Sequence, residues 1–234
     1  MKVALVCGGS GAIGMAITKT LELLNYKVVI ADIKEPRRKF DYFVNADLTS
    51  ELSVKKAISY AQDKFGKIDV LVNCQGVYKL DRIENTQPDE FRSVMATNAT
   101  SVFLTCKYII PLMKWQKSGY IVNIASMSGL RGASGKSAYC SSKFAVVGLT
   151  ESLNEELRGT NVRISAICPT SVDTKLTGND KLLTKQEIEK LLKPEDIART
   201  VGEIVTSNEQ IHKTIIPIEG ELKLDKLALK EKHQ

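Results

Sequence analysis

Tyr139 and Lys143 stand four residues apart in the stretch SAYCSSKFAVVGLTESLNEEL (137–157). If that stretch is helical, both side chains lie on one face, a single turn apart. Any two residue types can meet this way by accident. A phenol beside an amine is also a proton-transfer pair. Free phenol, with a pKa near ~10, is too weak an acid or base for neutral pH unless its anion is stabilised. An ammonium within about 4–6 Å favours the phenolate, and a helix would fix the geometry of the pair. The spacing alone does not separate accident from function, so the elements that carry it must.

Short β-rich runs alternate with longer helical patterns along the chain. VALVC (3–7), KVVIA (27–31), YFVN (42–45), DVLVN (69–73), YIVNIAS (120–126), VRISAIC (162–168) and TIIPI (214–218) read as strands. Most are continuously apolar, as expected for strands covered on both faces. Helices are predicted near 13–25, 51–65, 88–114, 137–158 and 194–207, the last opening on Pro194, Glu195 and Asp196. The repetition predicts a single α/β domain over 1–234, a doubly wound parallel sheet of about seven strands with helices on both faces. Ligands of such sheets bind beyond the carboxyl ends of the strands. Glycines follow strand one there, Asp32 strand two, Asp47 strand three, Asn73 and Gly76 strand four, Ser126 strand five and Pro169 strand six.

The loop after the first strand is CGGSGAIG (7–14), in which Gly9, Gly11 and Gly14 satisfy GxGxxG between a strand and a helix. Glycines let backbone turn sharply and approach a pyrophosphate, while the helix N-terminus offers free N–H groups and a favourable dipole. Gly8, Gly9, Ser10, Gly11, Ala12, Ile13 and Gly14 are therefore candidate cofactor contacts, and the fold reads as Rossmann-type. Asp32 ends the second strand, 18 residues beyond Gly14. A carboxylate there accepts hydrogen bonds from ribose hydroxyls and repels a 2′-phosphate, which predicts NAD(H) over NADP(H). Lys34, Arg37 and Arg38 could still accommodate a phosphate; a solvated basic turn around Pro36 is the simpler reading.

Composition excludes several other classes. The chain is 43% hydrophobic and 26% charged, the balance of a globular domain. Its apolar runs are too short to span a bilayer, and its N-terminus reads as a buried strand rather than a signal peptide. No membrane partner is expected. Five scattered cysteines without CxxC spacing point to free thiols in a reducing, cytoplasmic setting, with neither disulfide framework nor metal site. His212 and His233 make no metal site or triad. The net charge of +6 gathers largely in 34–39 and near the C-terminus, without interleaved aromatics, so no nucleic-acid partner is expected.

With these motifs in order, the chain resembles the short-chain dehydrogenase/reductase family over nearly its whole length, in particular its 3-oxoacyl-carrier-protein-reductase-like members. Tyr139 and Lys143 match the family's Tyr-x-x-x-Lys pair. Ser126, 13 residues before the tyrosine, matches its catalytic serine, and Asn98 in MATNATSVF its catalytic asparagine. The resemblance implies a nicotinamide-dependent oxidoreductase acting on a secondary alcohol or ketone. Tyr139 would be the acid–base, tuned by Lys143; Ser126 would polarise the substrate oxygen; Asn98 would hold a water linking Lys143 to solvent. It further implies cofactor contacts at Asp47 and Leu48 in ADLT, at Asn73 and Gly76, and at Pro169, Val172 and Thr174 in PTSVDT. Homodimers or homotetramers are common in the family, with the helices at 88–114 and 137–158 often packed across a dimer axis.

The chain departs from the family pattern at several places. Cys7 stands for a threonine, Ala12 for the middle glycine of the loop, Cys74-Gln75 for Asn-Ala, and Thr170 for a glycine. The usual glycine-rich ending gives way to a charged tail, 221–234. The segment 130–137 and an amphipathic stretch at 175–193 should bound the substrate, the latter as a lid. Arg131 and Lys136 could bind an anionic substrate or an acidic carrier, or simply be solvated. Cys7, Cys74, Cys140 and Cys168 fall near the cofactor rim and read as small buried hydrophobes, with alkylation sensitivity as a side expectation. Two other readings stay open: an NAD(H)-binding sensor, or a structural subunit without catalysis.

Overall fold

The computed structural model describes residues 1–36, 39–174, 184–207 and 213–221. Arg37, Arg38, the front of the expected lid (175–183), His212, His233 and all of the tail after Glu221 lie outside the described residues. Seven parallel strands form one sheet: β1 (Lys2–Cys7), β2 (Tyr26–Asp32), β3 (Phe43–Asn45), β4 (Val70–Asn73), β5 (Gly119–Ile124), β6 (Val162–Pro169) and β7 (Ile215–Ile218). Their order is β3-β2-β1-β4-β5-β6-β7. The winding reverses at β1, whose neighbours are β2 and β4, and this opens a crevice at the strand ends.

The helices are α1 (Ala12–Leu23), α2 (Glu51–Phe65), α3 (Pro88–Met95), α4 (Ser101–Gln116), α5 (Ser137–Glu156), α6 (Lys185–Glu189) and α7 (Pro194–Thr206). They cover the sheet on two sides because the strands alternate their side chains between two cores. Ala4 and Val6 of β1 join Ile17 and Leu21 of α1 and Ile197 and Val201 of α7. Leu5 and Cys7 point the other way, toward Val54 and Ile58 of α2 and Ile109 and Met113 of α4. A strand buried on both faces carries no polar alternation, which explains the continuous apolar runs. Each such aliphatic side chain contributes roughly 1.5–3 kcal/mol on burial.

The helix ends follow local chemistry. Ser50 Oγ accepts the Ser53 amide at 3.4 Å at the start of α2, and Gly66 with φ 74° closes it. Pro194 opens α7, and Asp196 Oδ2 accepts the Lys193 amide at 2.8 Å.

Two boundaries differ from expectation in a way that matters for the site. The predicted helix 88–114 is α3 and α4 joined by a π-helical turn, Ala96–Thr100, with Asn98 at its middle. Such widened turns insert one extra residue and recur at functional sites; helix propensity gives no signal for them. The predicted strand 120–126 stops at Ile124, and Ser126 instead begins a 3₁₀ turn, Met127–Gly129, from an extended backbone.

Candidate active site

The glycine loop is held by close backbone approaches. Gly8 has φ +70°, and a Cβ there would come within 2.5 Å of the Gln75 amide nitrogen. A Cβ on Gly14 would lie 2.5 Å from Gly8 O, so the first turn of α1 packs directly on the loop. Gly11 and Ala12 are exposed, and the first turn of α1 has no side-chain cap. Its amides are thus available to an anion, as a pyrophosphate requires. Ala12 replaces a glycine where its methyl faces solvent. Only the loop's inner glycines are sterically obligatory.

Asp32 stands at the rim of this cradle. Its Oδ2 accepts the Ser10 amide at 3.0 Å and its Oδ1 the Lys34 amide at 3.1 Å. Ser10 Oγ donates to Lys34 O at 2.6 Å, so loop and strand end hold the carboxylate from both sides. Asp47 Oδ1 accepts the amide and hydroxyl of Thr49, while Leu48 is buried beneath. An uncapped helix start, a glycine-lined approach and an oriented carboxylate together fit a dinucleotide.

At the crevice, α5 presents Tyr139 and Lys143 one turn apart. The Ser126 hydroxyl faces the Tyr139 phenol closely enough to favour its anion. Because Ser126 Oγ accepts the Ser128 amide at 3.1 Å, its own proton is left to donate. Lys143 is 5% exposed, donates to Ile124 O at 2.9 Å, and lies 5.9 Å from the Tyr139 ring centroid. Burial pushes Lys143 down to about 8, with the Cys74 and Cys168 thiols pulling the other way. The Tyr139 phenol moves against the sequence expectation. Burial pushes it up to about 12, opposed by the Ser126 hydroxyl and reinforced by Cys140. In the protein alone, desolvation dominates, and the resting phenol keeps its proton at neutral pH.

Asn98 is fully buried, and its amide is engaged on every side. Oδ1 accepts the Val77 amide at 2.7 Å, and Nδ2 donates to Val77 O at 2.9 Å and to Ser142 Oγ at 3.0 Å. Its side chain therefore clamps the segment after β4 instead of reaching toward solvent. Gly76 lies between this amide and the lysine: a Cβ there would sit 3.4 Å from Asn98 Oδ1 and 3.7 Å from Lys143 Nζ. Asn73 also turns inward. Its Nδ2 donates to Asn123 Oδ1 at 2.8 Å and its Oδ1 accepts from Thr105 Oγ1 at 2.8 Å, so only its main chain is left for the crevice.

Sequence reasoning missed Ser142, Tyr78 and the role of Gln75. Ser142 lies between the catalytic pair in sequence, donates to Tyr139 O at 2.7 Å and receives Asn98. Its place directly before Lys143, three residues after Tyr139, was the available signal. Gln75 Nε2 donates to Ser101 Oγ at 3.0 Å, which in turn donates to Thr97 O, tying β4 to the π-helical turn. The departures at Thr170 and the cysteines also resolve. Thr170 Oγ1 accepts the Gly220 amide at 2.9 Å, so the hydroxyl fastens the chain after β7 to the end of β6. Burial pushes the thiols up, to about 12 for Cys74 and Cys106, about 11 for Cys168, and strongly for Cys7. Thiolate is scarce there, which removes the ground for alkylation sensitivity at Cys7, Cys74 and Cys168.

The crevice holds a cavity of roughly 330 Å³ in which Ser126, Tyr139 and Lys143 meet Gly76, Pro169 and Thr174. Val172, on its wall, pairs with Leu192, and Lys193 bonds Asp173 at 2.8 Å, so the return end of the expected lid is anchored on the segment that follows β6. Among the described residues no helix is long and apolar enough to cross a membrane.

The family model for short chain dehydrogenase matches residues 2–183. A curated relative, 2-(R)-hydroxypropyl-CoM dehydrogenase of Xanthobacter autotrophicus, is 34% identical over 75% of this chain and 76% of its own. The 3-ketoacyl-(acyl-carrier-protein) reductase of Brucella melitensis, solved with NADH, superposes with a TM-score of 0.85 at 27% identity, covering 94% and 97% of the two chains. ElxO with NADP bound gives 0.86 at 27%, over 93% and 97%. The two structures hold different nicotinamide cofactors, so this likeness leaves the choice between them to the residues of the chain itself.

Proposed function

The chain belongs to the short chain dehydrogenase family, and from that premise we propose that it interconverts a secondary alcohol and a ketone with NAD(H). The observation that carries the proposal is the convergence of Ser126, Tyr139 and Lys143 on one cavity at the strand ends. A bound nicotinamide supplies or accepts the hydride at the substrate carbon. In the reductive direction the protonated Tyr139 donates to the carbonyl oxygen while the Ser126 hydroxyl hydrogen-bonds the same oxygen. Lys143, fixed on Ile124 O, stabilises the phenolate that develops. Asn98 positions the segment after β4, and the space kept by Gly76 beside Lys143 suits a water through which the proton is replaced.

Gly8, Gly9, Ser10, Gly11, Ala12, Ile13 and Gly14 would hold the pyrophosphate and its ribose. Asp32 would read the ribose hydroxyls, with Asp47 and Leu48 beside the adenine. Asn73, Gly76, Pro169, Val172 and Thr174 would line the nicotinamide end. The oriented carboxylate of Asp32 supports NAD(H), since a 2′-phosphate there would meet like charge. A homo-oligomer fits the exposed Phe103 and Trp115 on α4 and Phe144 on α5, at 48%, 77% and 45% exposure, and the free cysteines fit the cytoplasm.

Fluorescence titration with NADH and with NADPH tests this, followed by alcohol and ketone panels with the tighter cofactor. NADH should bind about tenfold or more tightly, and Asp32→Asn should erase most of the difference. Tighter NADPH binding by the wild type would overturn the cofactor assignment.

A further inference from the structure

Among the described residues, the charged side chains that line the cavity are all cationic. Arg131, Lys136 and Lys143 line it, and no aspartate or glutamate does among the described residues. Lys143 belongs to the proton-transfer machinery. Arg131 and Lys136 do not, and both lie on the segment between the 3₁₀ turn and α5, on the substrate side of Ser126 and Tyr139.

Lys136 is the more firmly placed of the two. It is half-buried, its carbonyl accepts the Cys140 amide at 2.7 Å, and its main chain bridges to Asp81. Its ammonium lies 5.6 Å from the centroid of the Tyr78 ring. That ring meets the Tyr139 ring edge-on, 4.8 Å between centroids at 84°. One aromatic ring thus separates the cation from the catalytic phenol, which sets a short span between them. Arg131 stands exposed at the mouth, its amide bonded to Met127 O at 3.1 Å.

Among the described residues, Asp81 and Glu90 lie near this segment without lining the cavity. Asp81 Oδ1 accepts the Arg82 amide at 2.9 Å, and Glu90 is paired with Lys79 at 2.6 Å. Between cation and phenol stands the Tyr78 ring, and Val77, Met127 and Val172 also line the cavity. An apolar span with a proton donor at one end and cations at the other selects by charge as well as by shape.

We propose that the substrate is a small ketone or secondary alcohol carrying an anionic group, a carboxylate, sulfonate or phosphate, held by Lys136 with Arg131 at the mouth. This rests on the oxidoreductase reading above. In reduction the carbonyl carbon gains a hydride from the reduced nicotinamide, which is thereby oxidised. The carbonyl oxygen gains the Tyr139 proton, and the anionic group is unchanged.

The probes are 4-oxopentanoate and its methyl ester, equal in chain and different in charge, titrated by calorimetry into protein saturated with the cofactor. The carboxylate should bind about tenfold or more tightly than the ester, and the ratio should fall to below about twofold in the double variant Arg131→Gln, Lys136→Gln. NADH titration of that variant checks that the fold and cofactor site are intact. Equal binding of the two probes by wild type, binding of neither, or a preference that survives in the variant overturns the proposal. Turnover is read separately. An anion preference without turnover of any ketone leaves the anion site standing and overturns the oxidoreductase reading; turnover without charge preference does the reverse.

Discussion

A Cβ added at Gly8 would come within 2.5 Å of backbone, whereas one added at Gly132 would meet nothing within 4 Å. The first glycine belongs to the loop proposed to hold the cofactor, and the second lines the cavity on the side proposed for the substrate. The same contrast runs through both regions. The cofactor cradle is backbone against backbone, with Asp32 bonded from two directions and Gly14 pressed on Gly8 O. The segment 130–136 reaches the surface through Arg131, Gly132, Ala133 and Ser134, all exposed, with Lys136 as its inner anchor. The pyrophosphate of a nicotinamide dinucleotide is the same in every enzyme that binds one, and rigid geometry suits it. A substrate differs from one enzyme to the next, and its side of the cavity is built from residues that can change without disturbing the sheet.

The contrast predicts unequal tolerance to substitution. Gly8→Ala should lose about 1–3 kcal/mol of stability through its positive φ and its backbone clash, read as a several-degree fall in Tm. Gly132→Ala should change stability by less than about 0.5 kcal/mol. Equal losses at the two positions would break the comparison.

A smaller effect sharpens it. Burial pushes Lys143 down to about 8 and Tyr139 up to about 12, so ketone reduction should be flat below about pH 7 and fall through pH 8 as the ammonium is lost. The midpoint belongs to the lysine, where the rate should be half its plateau. The folding consequence has a definite sign. Between pH 8 and the ordinary lysine value of 10.5, the unfolded chain holds a proton that the folded one has released. Stability from this group therefore rises with pH across that window. A rate plateau extending past pH 10 would contradict this assignment.

What could be read from residues alone divides along the same line. The sheet was legible because strands buried on both faces announce themselves as apolar runs, and the cradle because GxGxxG sits between a strand and a helix. Ser126, Tyr139 and Lys143 were legible as types at fixed spacing. The π-helical turn was not, because an extra residue in a helix changes no local preference. The inward turn of Asn73 and the clamp of Asn98 on Val77 depend on partners 21 to 50 residues away. The raised phenol was not legible because the sequence hides the burial that raises it. Thr170 looked like a simple departure until its bond to Gly220 appeared across 50 residues.

The most direct test of the whole account compares Tyr139→Phe with wild type in two readouts, NADH affinity by fluorescence and single-turnover reduction of a ketone accepted by wild type. Removing the phenolic proton while keeping the ring should lower the reduction rate by about 10²–10⁴-fold and leave NADH affinity within about twofold. A reduction rate near wild type in that variant would contradict the assignment of Tyr139 as the proton donor.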